Sequence, residues 1–253
     1  MSLIKVAVCG SCGRMGQEVV KAVVMDKELE LVAKIDLICI GEGTFDSIEK
    51  ALKATPIDVL VDFTQPAAIF ENAKYCLNHG IRPIIGTTGL SEIQIDELRN
   101  LSAKNNVPCL IAPNFTTGAV LMMMFAKQAA KFFDNAEIIE LHHNQKKDAP
   151  SGTAIKTAQL MAEENESFAK GNCEEVELIE GSRGGKSYSD IQIHSVRRPG
   201  YIASQEVIFG AAGQVLKIRH DSMDRTCYMK GILMAIKHVM ENDEFVYGLE
   251  NIL

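Results

Sequence analysis

The polar and apolar positions alternate in two different rhythms along the chain. Residues 3–9 (LIKVAVC) are apolar and β-branched and run into Gly10, while residues 14–25 (RMGQEVVKAVVM) carry apolar groups at helical spacing. This pairing predicts a buried strand followed by a helix. Residues 30–36 (ELVAKID) read as a second strand ending in an acid, 44–53 as a small helix and 57–63 (IDVLVDF) as a third strand. Residues 66–79 suit a helix closed by Gly80. Then come a strand over 81–85, a helix over 91–104 and a strand over 107–112. Strands alternating with helices predict an α/β unit with a parallel sheet covered on both faces.

The rhythm changes after Pro113-Asn114. Residues 117–133 (TGAVLMMMFAKQAAKFF) predict a long apolar helix. Its Met122-Met123-Met124 run reads as core packing rather than a metal or cofactor site. A strand over 136–142 and a helix over 152–164 follow, then a polar connection over 165–172 and strands over 174–180, 190–196, 201–209 and 214–220. Strand-rich sequence with few helices predicts a second α+β domain with a mixed or antiparallel sheet. The last segment, 224–240 (DRTCYMKGILMAIKHVM), is an apolar helix able to pack back on the first domain. The chain shows no internal repeat and no low-complexity tract.

Composition narrows the function classes. Of 253 residues, 47% are apolar, enough for a sizeable core. No run of about 18 apolar residues occurs, so a membrane span is not expected, and the N-terminus lacks the regions of a signal peptide. The seven cysteines, at 9, 12, 39, 76, 109, 173 and 227, mostly sit in apolar runs, as in a protein of a reducing, cytoplasmic compartment. A net charge of −7 argues against nonspecific nucleic-acid binding. An acidic chain that handles an anionic small molecule must concentrate its cations locally.

Two places carry chemistry. The first is Gly10-Ser11-Cys12-Gly13-Arg14-Met15-Gly16, spaced G-x-x-G-x-x-G between strand and helix. Glycines let backbone approach a pyrophosphate, and the helix N-terminus supplies N–H donors and positive potential. Asp36 ends the second strand, twenty residues beyond Gly16, where a carboxylate can bind the adenine-ribose hydroxyls of a dinucleotide. Asp36 repels a 2′-phosphate, and the next residue, Leu37, offers no cation. NADH is therefore the expected cofactor, with NADPH accepted through Arg14 or Lys34. Two other motifs are read as structural. Cys9-Gly10-Ser11-Cys12 is formally C-x-x-C, but its first cysteine ends a strand and its second lies in the glycine loop. Gly181–Ser187 resembles a phosphate loop with its first glycine one place late and no strand–helix context, so it reads as a flexible surface loop.

The second place is residues 142–154, HHNQKKDAPSGTA. Adjacent residues on a strand point to opposite faces, so His142 and His143 have different roles. Asp148-Ala149-Pro150 breaks any helix, which makes 143–150 a loop. Ser151-Gly152-Thr153 opens the next helix, and its unsatisfied N–H groups suit an anion. Lysines and histidines beside it describe a pocket for a carboxylate or phosphate. Lys146 and Lys147 oppose a divalent cation, so no metal is expected. A solvated loop capped by Ser151 would explain the lysines, but not two histidines entering from a strand end.

Together these residues resemble the dihydrodipicolinate reductase family. Its signature E-x-H-H-x-x-K-x-D-A-P-S-G-T-A is matched in full by Glu140–Ala154, and its G-x-x-G-R-M-G by residues 10–16. Asp62-Phe63-Thr64, Gly86-Thr87-Thr88-Gly89, Ala112-Pro113-Asn114-Phe115 and the ending from Tyr247 to Leu253 also match its pattern. The resemblance implies reduction of 4-hydroxy-tetrahydrodipicolinate with hydride from NAD(P)H, in the diaminopimelate route to lysine. It implies His142 as acid/base residue and Lys146 as proton donor, with His143, Ser151, Gly152 and Thr153 around the substrate carboxylates. Gly10, Ser11, Cys12, Gly13, Arg14, Met15, Asp36, Gly86, Thr87, Thr88, Ala112, Pro113, Asn114 and Phe115 would line the cofactor. It further implies a dinucleotide-binding domain over 1–114 plus 222–253, a substrate-binding and oligomerisation domain over 115–221, closure of the two around the reaction, and a homotetramer. The chain departs from the family at 198–205 (RPGYIASQ), which bears on the second-domain sheet and subunit contacts rather than the chemistry. Two other readings stand beside this one: an amino-acid dehydrogenase of similar build, and a nucleotide-sensing module without catalysis.

Overall fold

The computed structural model describes residues 2–38, 41, 43–168 and 174–253. It forms two compact units, Met1–Thr117 with Tyr228–Leu253, and Gly118–Cys227. The first unit opens with β1 (Ile4–Cys9), α1 (Arg14–Met25) and β2 (Leu29–Ile35), then β3 (Thr44–Phe45) and α2 (Ile48–Ala54). It continues with β4 (Val59–Asp62), α3 (Pro66–Asn78), β5 (Arg82–Ile85), α4 (Glu92–Asn105) and β6 (Cys109–Ile111). Ala7 and Cys9 of β1 pack with Ile35, Leu60, Cys76 and Ile81. Val6 and Val8, which alternate with them, are equally buried, so both faces of this strand are covered.

The small helix predicted over 44–53 divides in two. Thr44 and Phe45 pair with Lys34 and Ile35 as a sheet-edge strand, and the helix begins only after Ser47, whose hydroxyl accepts Lys50 N–H. Helix α4 starts at a capping box in which Ser91 and Gln94 exchange side chain-to-backbone bonds.

The second unit contains α5 (Thr117–Ala130), β7 (Asn135–His142), α6 (Gly152–Ala162), β8 (Gly185–Lys186), β9 (Gln192–Arg197), β10 (Ala203–Ala211) and β11 (Gln214–Ser222). Its five-stranded sheet has the order β11-β10-β7-β9-β8. Strands β7 and β9 run parallel and the other neighbours antiparallel, giving the mixed sheet the sequence suggested. Ile138, Ile193, Val207 and Phe209 of the sheet pack with Ala126 and Ala130 of α5 and Ala154, Ala158 and Met161 of α6. Met122 and Met123 are buried apolar residues, in line with a packing role. On the opposite sheet face Glu137, Ile139 and Leu141 alternate with the packed residues, and Lys217 and Arg219 pair with Glu206 at 3.1 Å each.

Two expectations here are corrected. No strand forms over 174–180; Val176, Leu178 and Ile179 are exposed, and the nearby sheet edge is already occupied by β8. The stretch 181–187 is not a bare surface loop, because Gly185 and Lys186 pair with Ile193 and Gln192. Gly184, at φ +70°, makes this possible, since a Cβ there would lie 2.6 Å from the Ile193 carbonyl oxygen. Of the predicted polar connection over 165–172, residues 169–172 lie outside the described residues, while Phe168 is buried in the core.

After a 3₁₀ turn over Arg225–Tyr228, α7 (Met229–Glu241) returns to the first unit, followed by β12 (Phe245–Tyr247). Strand β12 pairs with β6 and completes a seven-stranded parallel sheet of order β12-β6-β5-β4-β1-β2-β3. Among the described residues no helix is long and apolar enough to cross a membrane.

Candidate active site

The loops that carry the first candidate set follow the C-terminal ends of β1, β4, β5 and β6, the end at which open parallel sheets bind ligands. Gly10 takes φ +78° and donates its N–H to Ile35 O at 2.9 Å. A Cβ on Gly10 would lie 2.7 Å from Phe63 O, and one on Gly16 only 2.0 Å from Gly10 O. The glycines thus let loop, helix and neighbouring strand close up as a nucleotide-binding turn requires. Gly13 is the N-cap of α1 and makes no side-chain bond to it, so the first helical N–H groups face the loop without a side-chain cap. These features fit a dinucleotide pyrophosphate.

Asp36 accepts Cys12 N–H at 2.9 Å and Ile38 N–H at 3.1 Å, so it also ties the loop to the end of β2. Leu37 and Ile38 beside it are 88% and 87% exposed and bring no charge. An open pocket of about 360 Å³ adjoins the loop, lined by Ser11, Cys12, Gln17, Lys21, Lys34 and Thr44 among others. Asp62, at the end of β4, is buried. Burial raises its carboxyl, against bonds from Thr64 N–H, Thr64 Oγ1 and Asn72 Nδ2 at 2.8, 2.5 and 2.8 Å. Thr87 Oγ1 donates to Thr64 O at 3.1 Å, and a Cβ on Gly86 would strike the Phe63 ring. Asn114 accepts Thr116 N–H at 2.8 Å, while Ala112 and Phe115 are buried behind the surface. Cys9 is a free buried thiol whose ionisation is pushed up by burial, so it forms no redox pair with Cys12. Cys12, half-buried in the loop rather than in an apolar strand, is disulfide-bonded, unlike the free cysteines expected.

The second candidate set lies in the other unit and is built around Glu140. This residue is 0% exposed in β7, two positions before His142 and on the same face. Its Oε2 meets His142 Nδ1 at 2.5 Å. Arg197, at the end of β9, binds both carboxylate oxygens, Nη1 to Oε2 at 2.8 Å and Nη2 to Oε1 at 2.7 Å. Ser151 N–H adds a bond of 3.2 Å. Burial would raise this carboxyl, but the hydrogen bonds from His142, Arg197 and Ser195 outweigh it and hold it down at about 2.

Residues 143–150 form the predicted loop, with Lys146 N–H donating to His143 O at 3.2 Å and Gln145 N–H to His143 Nδ1 at 3.2 Å. Lys146 Nζ pairs with Asp148 at 2.8 and 2.7 Å, and its ammonium holds the Asp148 carboxyl below the usual range. Arg197 Nη2 also binds Asp148 O at 2.8 Å. Ser151 caps α6 by accepting Ala154 N–H at 3.2 Å, and nothing lies within 4 Å of where a Cβ on Gly152 would sit. Thr153 O accepts Thr157 Oγ1, which in turn accepts Gln205 Nε2, both at 2.7 Å, so α6 is pinned to β10.

His142, Lys146 and the start of α6 are thus brought together around one short turn. Sequence reasoning gave no role to Glu140 or Arg197. An acid inside an apolar strand was a usable signal for Glu140; Arg197, 57 residues away, had none. Among the described residues no grouping of three or more histidine, cysteine or acidic side chains could hold a metal ion.

Residues 4–115 match the family model described as dihydrodipicolinate reductase, N-terminus, and residues 118–253 the one described as dihydrodipicolinate reductase, C-terminus. The chain belongs to the dihydrodipicolinate reductase family. The 4-hydroxy-tetrahydrodipicolinate reductase of Listeria monocytogenes serotype 4b (strain F2365) is 49% identical, across 99% of this chain and 100% of that one. That of Syntrophomonas wolfei is 50% identical, across 98% of each. A solved structure, dipicolinate-bound dihydrodipicolinate reductase from Paenisporosarcina sp. TG-14, superposes with a TM-score of 0.92 at 45% identity, covering 99% of this chain and 100% of that one. Aspartate dehydrogenase from Thermotoga maritima shares the fold alone, at 12% identity and a TM-score of 0.51, with 94% and 97% of the two chains covered. Membership of the reductase family makes the first unit a nucleotide-binding Rossmann unit.

Proposed function

We infer that this chain is a 4-hydroxy-tetrahydrodipicolinate reductase, forming tetrahydrodipicolinate and water with hydride from a nicotinamide nucleotide, in the diaminopimelate route to lysine. The observation that carries the reading is the turn over 140–154, where an ammonium, an imidazole and a helix N-terminus meet. The substrate has two carboxylates and, once water is lost, a conjugated imine. A nicotinamide nucleotide bound in the first unit would supply a hydride to carbon. The negative charge that develops on the ring is quenched by a proton, which Lys146 donates with His142 assisting; acid catalysis of this kind is worth about 10²–10⁴-fold. Asp148 holds the Lys146 ammonium in place with contacts of 2.8 and 2.7 Å. His143 and the Ser151, Gly152 and Thr153 turn hold a carboxylate and lower the cost of that charge. The relative solved with bound dipicolinate supports a small dicarboxylate as substrate.

In the first unit, Gly10 to Met15 take the pyrophosphate, Asp36 the ribose, and Gly86, Thr87, Thr88 and residues 112–115 the nicotinamide side. Of these last, Ala112 and Phe115 shape the loop from behind. NADH is preferred because Asp36 repels a 2′-phosphate and Leu37 adds no cation. NADPH enters through Arg14, or through Lys34 in the pocket beside the loop. The enzyme works in the cytoplasm, a reading supported by the free buried thiols Cys9, Cys76 and Cys109. It assembles as a homotetramer through the outer face of the second-unit sheet, where apolar Ile139 and Leu141 stand beside the Glu206, Lys217 and Arg219 cluster.

The test is loss of NADH absorbance when the chain meets the dicarboxylate made by the preceding step, run in parallel with NADPH. Oxidation dependent on that substrate is expected. An inert mixture would leave a nucleotide-sensing module, and activity only with an amino acid would leave a dehydrogenase. A preference of about a hundredfold for NADPH, some 2.7 kcal/mol, would reverse the cofactor assignment.

A further inference from the structure

His142 is the only group of the proposed machinery whose ring is gripped from inside the sheet. Its partner Glu140 has no exposed surface and receives four donors: the His142 ring, two guanidinium N–H groups of Arg197 and the Ser151 N–H. Other polar and charged groups flank this pair, among them Arg198, whose backbone N–H donates to His142 O at 3.1 Å and whose guanidinium binds Arg197 O at 2.8 Å. Gln205 sits across from Glu140 on β10, with its Nε2 spent on Thr157. His220 faces Gln205 from β11, and Lys146 and Asp148 neutralise each other on the turn.

We propose that Arg197 and Glu140 are positioning residues that fix the tautomer of His142, with the proton on Nδ1 and Nε2 left to exchange protons with substrate. Two links support this. An ionised carboxylate has only acceptor sites, so the short contact at Nδ1 requires that nitrogen to donate. Glu140 stays ionised although fully buried, because Arg197 supplies a bidentate counter-charge. The same guanidinium holds the Asp148 carbonyl, so one side chain sets both the ring and the turn that bears Lys146. The arrangement resembles in logic the acid that orients the histidine of a hydrolase triad.

The charges predict opposite effects on titration. Removing the Arg197 cation leaves Glu140 uncompensated beside His142 and raises the ring's midpoint. Removing the Glu140 anion leaves the cation and lowers it. An opposite or like charge at this range moves a midpoint by about 1–3 units.

The test is ¹⁵N NMR of histidine-labelled full-length protein, with the His142 signal assigned by its loss in His142→Asn. The wild-type ring is expected as the Nδ1–H tautomer. Arg197→Met should raise its midpoint by about one unit or more, Glu140→Gln should lower it by as much, and Arg197→Lys should stay near wild type. The relevance to catalysis rests on the reductase reading, but the tautomer does not: it is measured without substrate. A wild-type Nε2–H ring would overturn the proposal even with normal reductase activity. So would unmoved midpoints in folded Arg197→Met and Glu140→Gln proteins. Should Arg197→Met fail to fold, the wild-type tautomer and Glu140→Gln still decide.

Discussion

Lys146 shows how much a single residue can say and where it stops. Two cations next to a helix start pointed to an anion site without any knowledge of the fold. Its pairing with Asp148 at 2.7 Å adds where on the turn the ammonium is held. Lys146→Ala is therefore expected to lower kcat by about 10²–10⁴-fold with NADH affinity unchanged. Stopped-flow turnover and fluorescence titration with NADH check the two halves, and a near-wild-type kcat would remove Lys146 from the mechanism. Glu140 was less legible. It stood in the signature as a residue to match, with no role, because its partner Arg197 comes from a different strand. Cys12 is a second example: its position inside the glycine loop was readable, its disulfide was not.

At the level of elements, the long periodic segments were legible, as were the short apolar strands β5 and β6 inside the sheet, while the short edge pieces were not. Strands β1 and β4 and helices α1, α3 and α4 follow from apolar spacing and caps. Strands β3 and β8 have two residues each and β12 three, too few for any period to register; only the hydrogen bonds of a neighbouring edge define them. The converse failure is 174–180, where apolar residues alternate with acids yet no edge receives them. Helix α7 carries a prediction of its own. Gly231 lies so close to the 112–115 loop that a Cβ would sit 2.1 Å from Phe115 O. Alanine gains about 1 kcal/mol over glycine in a helix, but overpacking typically costs about 1–3 kcal/mol. Because the obstacle here is backbone, which cannot rotate away, the clash should win. Gly231→Ala is expected to lower Tm and weaken NADH binding; a rise in Tm would show that the loop yields freely.

For the whole molecule, the prediction concerns assembly. The outer face of the five-stranded sheet mixes half-buried apolar residues with a charged cluster, a pattern suited to a subunit contact. Sedimentation equilibrium should return four times the chain mass of 27.7 kDa, and a monomer at micromolar concentration would refute it. The sequence by itself determined the α/β class, the change of rhythm after residue 114, the glycine loop with its acid, and the charged turn. Each of these is local, since periodicity, caps and loop chemistry act over a few residues. Only the tertiary structure decided that Phe245–Tyr247 pair with β6 as the last strand of the first sheet, that Gly185 and Lys186 form an edge strand, and that Arg197 reaches Glu140. Those depend on pairings between segments far apart in the chain, where the energy lies in the match of two surfaces and neither surface alone records its partner.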